Sequence, residues 1–188
     1  YNAGTAVTTV THNTLIGGAA GDALTDADYN VAVGKNALGA DTLGSKSVAI
    51  GQGTLQNQNF TTATDSFNTA VGNEAGASVS TGTDNTLIGA SAGDALNTGS
   101  LNTALGKNAL GSDTKGSRSV AIGRLALGTQ NFTTATETYN VAMGYSAGGA
   151  VTTGIQNTLI GSLAGDALTD ADFNTAVGYA TLTDNALG

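Results

Sequence analysis

Carboxylates that recur at fixed spacings are the first residues in this 188-residue chain that could do chemistry. Two carboxylates that lie two residues apart in a turn can supply oxygen ligands to Ca²⁺. The module between the two acidic pairs has Thr98 and Ser100 at these places, and few other oxygens converge there. We therefore favour solvated acidic turns over a calcium site, and we predict no metal and no cofactor. The recurring carboxylates are Asp22, Asp94 and Asp166, together with the pairs Asp26 and Asp28, and Asp170 and Asp172.

Two near-identical inserts, residues 56–64 and 128–136, lie 72 residues apart and bring aromatic side chains with them. Loops that are longer than their neighbours protrude, and binding residues gather on loops. Such aromatic side chains could stack on sugars. The alternative is that they pack the insert onto its own chain or a neighbouring chain, because aromatic residues tend to be buried. The candidate receptor-binding residues are Phe60, Phe67, Phe132 and Tyr139.

The remaining candidates for catalysis are isolated in the sequence. His12 is the only histidine, and no nucleophile and orienting group can be assembled around it. Glu74 and Glu137 are the only glutamates, and they occupy different places in the repeat. Because a glycosidase needs two convergent carboxyl groups, we predict that this segment is not an enzyme.

The elements that position these residues come from a five-residue phrase, such as NTLIG or SVAIG, that occurs ten times and always ends in glycine. The phrases are 17 residues apart, except after the third and the seventh, where the spacing is 21. Four phrases form a 72-residue super-repeat. A short fixed period predicts a solenoid, so we treat residues 1–188 as one solenoid segment, with super-repeats 13–84, 85–156 and a partial 157–188. The phrases begin at Asn13, Asn30, Ser47, Asn68, Asn85, Asn102, Ser119, Asn140, Asn157 and Asn174.

Composition narrows the classes of partner. The net charge of −8 repels phosphate backbones, so we expect no nucleic-acid partner. No apolar run reaches the length of a membrane span, so we expect no membrane insertion by this segment. Both ends fall inside the repeat without polar caps, which indicates a segment of a longer protein.

The phrase itself reads as a short strand. Counting its first residue as position 0, position 1 is always β-branched, position 3 is large and apolar, and position 4 is Gly. Position 5 varies freely, which indicates a solvent-facing site. A second short strand is expected to follow, as at residues 36–39 and 74–77. Each module is then one two-stranded coil, and Asn at position 0 forms a hydrogen-bonded turn ladder along the solenoid.

Both faces of this strand are apolar, although a thin solenoid has only one interior. The second face, made of the small residues at positions 2 and 4, therefore needs another surface, and sister chains are its simplest supplier. The sequence does not tell which face meets the partner.

SVAIG at residues 47–51 and 119–123, with Ala126 beyond the second phrase, resembles the head repeats of trimeric autotransporter adhesins. NTAVG followed by Tyr179 is similar to repeats of bacteriophage tail fibres. The resemblance implies an all-β fold, a left-handed parallel β-roll, assembled as a homotrimer. Most modules have 17 residues, which is more than the adhesin coil has and favours the fibre.

The function expected from this resemblance is structural. The chain would be the rigid shaft or head of a trimeric phage tail fibre in the virion, presenting surfaces that bind a host polysaccharide or protein receptor. A bacterial trimeric surface adhesin, outside the cell, is the alternative. A third hypothesis is an ice-binding solenoid, since six of ten phrases have Thr at position 1, although Val at the other four favours a half-buried site.

Overall fold

A computed structural model describes residues 2–184, and it shows an all-β parallel solenoid of ten short coils. Each phrase contributes one three-residue strand to a ten-stranded parallel sheet with the order β1-β2-β4-β6-β7-β8-β10-β12-β13-β14. The remaining strands pair as β3 with β5 and β9 with β11. The strands are β1 (Thr14–Ile16), β2 (Val31–Val33), β3 (Gly44–Ser45), β4 (Val48–Ile50), β5 (Thr64–Asp65), β6 (Thr69–Val71), β7 (Thr86–Ile88), β8 (Thr103–Leu105), β9 (Gly116–Ser117), β10 (Val120–Ile122), β11 (Thr136–Glu137), β12 (Val141–Met143), β13 (Thr158–Ile160) and β14 (Thr175–Val177).

The sheet keeps one register along its whole length. Position 1 of each coil pairs with position 1 of the next, as Thr69 does with Thr86, and positions 2 and 3 follow in step. The three strand positions therefore form continuous columns along the solenoid. At about 4.8 Å per strand, ten coils make a rod roughly 43 Å long. Residues 2–184 contain no helix that could span a membrane.

The core lies inside each coil, and position 2 of the phrase points into it. Ala32, Ala70 and Leu87 are fully buried there, among the Leu and Val residues of positions 8 and 11. The prediction that position 2 belongs to a surface facing sister chains is therefore wrong. Side chains alternate along a strand, so burying position 2 turns positions 1 and 3 outward.

Gly at position 4 makes the close approach that its size suggests, but the neighbour is the next coil of the same chain. All ten of these glycines have φ between 125° and 141°, a region that side-chain-bearing residues avoid. A Cβ on Gly89 would lie 2.7 Å from the carbonyl of Gly106. Positions 2 and 4 therefore do not form an interchain face. Position 2 fills the core, and position 4 contacts the next coil of the same chain.

The second strand expected at residues 36–39 and 74–77 is absent, and a stacked turn takes its place. Positions 6 and 8 both have positive φ, with Asn36 at 58° and Leu38 at 52°, which bends the chain where an extended strand would need negative φ. The turns still bond between coils, because the Leu38 N–H donates to the Thr54 carbonyl at 3.0 Å.

The Asn ladder predicted at position 0 is confirmed. The Asn85 side-chain oxygen accepts the N–H of Asn102 in the next coil at 3.0 Å, and its amide nitrogen donates to the Gly99 carbonyl within its own coil at 3.0 Å. One buried side chain thus ties its coil closed and joins it to the next. The same pattern recurs at Asn30, Asn102 and Asn157.

Candidate functional site

The most extensive candidate surface is the outward side of the ten-stranded sheet, formed by positions 1 and 3, which we call the outer face. It carries only Thr and Val at position 1, and only Ile, Val, Leu and Met at position 3. Position 3 is strongly exposed for aliphatic side chains, from 37% at Ile88 and Ile160 to 64% at Val177 among its exposed members. Because large apolar patches on soluble proteins mark interaction sites, this face is where a macromolecular partner is expected.

A column of side chains borders the outer face on the side where the strands begin. It consists of the residue before each phrase, and we call it the leading column. All ten of its members have positive φ although none is glycine, so each backbone holds a strained conformation that turns the side chain to the surface. The leading column is His12, Tyr29, Lys46, Phe67, Asp84, Leu101, Arg118, Tyr139, Gln156 and Phe173.

Neighbours in the leading column touch across coils. The rings of His12 and Tyr29 stack with centroids 4.9 Å apart. Lys46 Nζ lies 5.2 Å from the ring centroid of Phe67, a cation–π distance. Arg118 repeats this arrangement over Tyr139 at 5.8 Å. The column is thus an ordered ridge of stacked polar and aromatic groups.

The structure separates the four candidate receptor-binding residues into two pairs. Phe60 and Phe132 are buried, at 5% and 7% exposure, so they pack the inserts onto the coil. Phe67 and Tyr139 are exposed at 52% and 47%, and they belong to the leading column. Receptor binding stays a prediction, and within a single chain only the exposed pair is available for it. The exposed tips of the inserts are Thr61, Thr62 and Ala63, and Thr133, Thr134 and Ala135.

A buried polar network beneath each insert was not foreseen from the sequence. In the second copy, the fully buried carboxyl group of Asp113 accepts the N–H groups of Gly116 and Phe132, both at 3.0 Å. Gln130 Nε2 donates to the same carboxyl group at 2.6 Å, and Gln130 Oε1 accepts from Asn140 Nδ2 at 2.8 Å. The network fixes the start of the insert and carries the Asn ladder across the wider coil.

The first copy repeats these contacts with Asp41, Gln58 and Asn68. A signal in the sequence marks both networks. Only the coils that carry an insert have Ser at position 0, at Ser47 and Ser119, and Gln at position 11, at Gln58 and Gln130. The shorter Ser leaves room for the Gln amide, which donates to the Ser hydroxyl at 3.0 and 2.9 Å.

The recurring carboxylates differ in environment although their repeat position is the same. Asp22 accepts hydrogen bonds from the Thr5 hydroxyl and N–H, which lower the pKa of its carboxyl group. Burial raises the pKa of Asp94, and the nearby negative charge of Glu74 adds to that shift. One carboxyl oxygen of Asp94 and one of Asp166 are buried without a hydrogen-bond partner. The ionised form is therefore favoured at Asp22 and penalised at Asp94.

We expect Asp94→Asn to stabilise the protein at pH 7, because the neutral amide avoids the cost of burying a charge. The gain in melting temperature should vanish below the ordinary carboxyl pKa of 3.8, where Asp94 is protonated in both states, and should grow as the pH rises through the raised pKa of the folded state. Asp22→Asn is the matched control and should lower the melting temperature at pH 7. Equal shifts for the two variants in pH-dependent melting would contradict this electrostatic account.

The two acidic pairs lie in the turns between coils. Asp28 and Asp172 each accept a backbone N–H from the coil below, from Thr11 at 2.5 Å and Ile155 at 2.7 Å. Within residues 2–184, no three His, Cys, Asp or Glu side chains gather as metal ligands.

Glu137 binds Arg118 at 3.0 Å and Tyr139 at 2.7 Å, and these two hydrogen bonds lower the pKa of its carboxyl group. His12, Glu74 and Glu137 lie in separate coils, at least three strand steps or about 14 Å apart. The structure brings none of the three together.

No protein family model matches this chain, and no curated protein or solved structure matches it significantly. The proposed function therefore rests on the outer face and the leading column.

Proposed function

We propose that this chain is a rigid segment of a homotrimeric attachment fibre. The observation that carries the proposal is the unbroken outer face, where a column of Thr and Val at position 1 and an aliphatic column at position 3 run past all ten coils without a charged residue. A continuous, exposed aliphatic column on one side of a parallel sheet is expected to be covered. Sister chains supply a cover of the same length and period as the face itself.

The dimensions suit such an assembly. A strip from the leading column to position 3 spans four residues, about 13 Å, and ten coils extend it over roughly 43 Å, or about 560 Å² in projection. Stable interfaces bury about 800 Å² of accessible surface per partner, which is the same order. Packing such strips between chains would stiffen the rod without any disulfide, since the chain has no cysteine.

The resemblance of the phrase to tail-fibre and adhesin repeats supports two biological settings. In the first, the segment is the shaft or head of a bacteriophage tail fibre in the virion and holds host-binding elements away from the particle. In the second, it is the head of a bacterial surface adhesin. Residues encoded beside this segment discriminate them: a virion-binding domain favours the fibre, and a membrane anchor favours the adhesin.

Ile88→Lys tests the role of the outer face, because it places a charge in the middle of the apolar surface. We expect the trimer to dissociate or weaken by at least tenfold in sedimentation velocity, since burying an unpaired charge is costly. Thr98→Lys adds the same charge to an exposed site of the same coil outside the outer face and should leave assembly unchanged. Equal behaviour of both variants would overturn the assignment of this face.

A second function, ice binding, is favoured by one observation. Thr at position 1 points outward in six coils. The parallel sheet would then present a regular Thr array to ice. This function needs a free outer face, so it excludes the trimer. Thermal hysteresis activity from a monomeric sample would establish it in place of the fibre.

A further inference from the structure

The leading column alternates strictly between two kinds of side chain. Coils one, three, five, seven and nine carry a polar residue there, and the coils between them carry a large apolar one. The residue types differ between super-repeats, since Arg118 corresponds to Lys46 and Tyr139 to Phe67. The alternation of polar and apolar side chains is the same in both. The outer surface therefore has a period of two coils, about 9.6 Å.

Position 3 on the opposite side of the outer face alternates in step. It is Ile in all five coils that have a polar leading residue, and Val, Leu or Met in the others. The sizes compensate in four of the five coils with an apolar leading residue, where Val accompanies an aromatic side chain and Leu accompanies Leu. Phe67 accompanies Val71, whereas the smaller Leu101 accompanies the larger Leu105. In the remaining case Tyr139 accompanies Met143, whose unbranched side chain adapts readily to a crowded site.

These two columns cannot compensate for each other within one chain. Four residues of extended chain separate them by about 13 Å, which is too far for side-chain contact. Phe67 and Tyr139 are also substantially exposed, as are Leu105 and Met143. A matching of sizes across this gap indicates that one column meets the other on a different copy of the chain.

We propose that the leading column of one chain packs against the position-3 column of the next chain at the same coil level. This inference rests on the proposed trimer and specifies how its chains meet. In four coils an aromatic side chain then meets Val or Met, in one Leu meets Leu, and the polar side chains lie along Ile with their polar ends in solvent. The contact is heterologous, so three parallel copies close it into a ring.

Because the chain has no cysteine, paired substitutions can test this register directly. In Phe67→Cys/Val71→Cys, the two sulfurs of one chain are too far apart to bond, since a disulfide requires Cα atoms about 4.4–6.8 Å apart. Mild oxidation should therefore link each chain to both neighbours and give a covalent trimer on a non-reducing gel. Phe67→Cys/Leu105→Cys, displaced by two coils, is the matched control and should stay uncross-linked.

Light scattering on the same samples before oxidation measures their oligomeric state. It distinguishes failure of the proposed contact from failure of the trimer itself. A covalent trimer from the level pair alone supports the proposal. The proposed contact is wrong if a trimer cross-links only in the displaced control or in neither variant. It is also wrong if Val71→Cys alone cross-links the trimer. In each of these cases the trimer itself is still supported. A monomer of the unaltered chain overturns both.

Discussion

Gly89→Val is expected to destabilise the protein by about 3–5 kcal/mol, one of the largest effects that a single substitution can have here. A β-branched side chain is forced into a backbone with φ of 131°, and its Cβ must enter a space 2.7 Å from Gly106. Both the strained backbone and the overlap with a neighbouring main chain raise the free energy of the folded state. Urea unfolding at one fixed protein concentration measures the loss.

Two further variants show whether the glycine backbone is the cause. Gly89→Ala should retain much of the loss, because the clash begins at Cβ. Ala90→Val, at the next residue, lies at a half-exposed position without positive φ and should change stability by no more than about 0.5 kcal/mol. If Gly89→Val were as mild as Ala90→Val, glycine at position 4 would not be a contact between coils.

Asp113→Ala should cost roughly 3–6 kcal/mol, because it leaves three buried donors without an acceptor at about 1–3 kcal/mol each before relaxation. Those donors are the N–H groups of Gly116 and Phe132 and the side-chain amide of Gln130. The insert should also loosen, since Phe132 lies within it and precedes its exposed tip. Thermal melting reports the loss of stability, and faster proteolysis at residues 133–135 reports the loosened insert.

Asp170→Ala is the control, because it removes one exposed carboxylate from another turn of the solenoid. Its effect should stay within about 0.5 kcal/mol and should not change cleavage of the insert. A comparable loss from both variants would mean that net charge, and not the buried network, sets the stability.

The period and the residue types of the phrase were enough to predict the fold. Asn occupies position 0 in most coils, and Gly occupies position 4 in all of them. A parallel stack of coils with an Asn ladder is the simplest arrangement that explains both. The structure confirms the Asn ladder at Asn85 and the close stacking of successive coils at Gly89. A fixed spacing transmits register along the chain, which explains why the columns follow from the sequence.

The inside and the outside of the strand could not be assigned from the same pattern. Positions 1, 2 and 3 are all apolar or β-branched, so alternation alone leaves two choices of interior. The choice is made by the turn that follows, where position 8 has positive φ: Leu38 and its equivalents fill the coil beside Ala at position 2, and Gly93 and its equivalents leave room for Leu. Positive φ at non-glycine residues gives little signal in a single sequence.

The sequence also did not show which candidate binding residues are buried and which are exposed. Phe60 and Phe67 differ by seven positions and look alike as sequence, yet a hydrogen bond from the Phe60 N–H to Asp41 draws one inward while the other stays on the surface. The buried networks depend on contacts between residues 17 to 19 positions apart, which became visible only after the coils were stacked.

The mass of the unaltered chain in solution tests the central claim most directly, namely that sister chains cover the outer face. Light scattering should give three times the chain mass of 18.3 kDa and should hold that value on dilution through the micromolar range. A monomer of 18.3 kDa with a stable β-type circular dichroism spectrum would contradict the account, because the apolar outer face would then be stable in water without a partner chain.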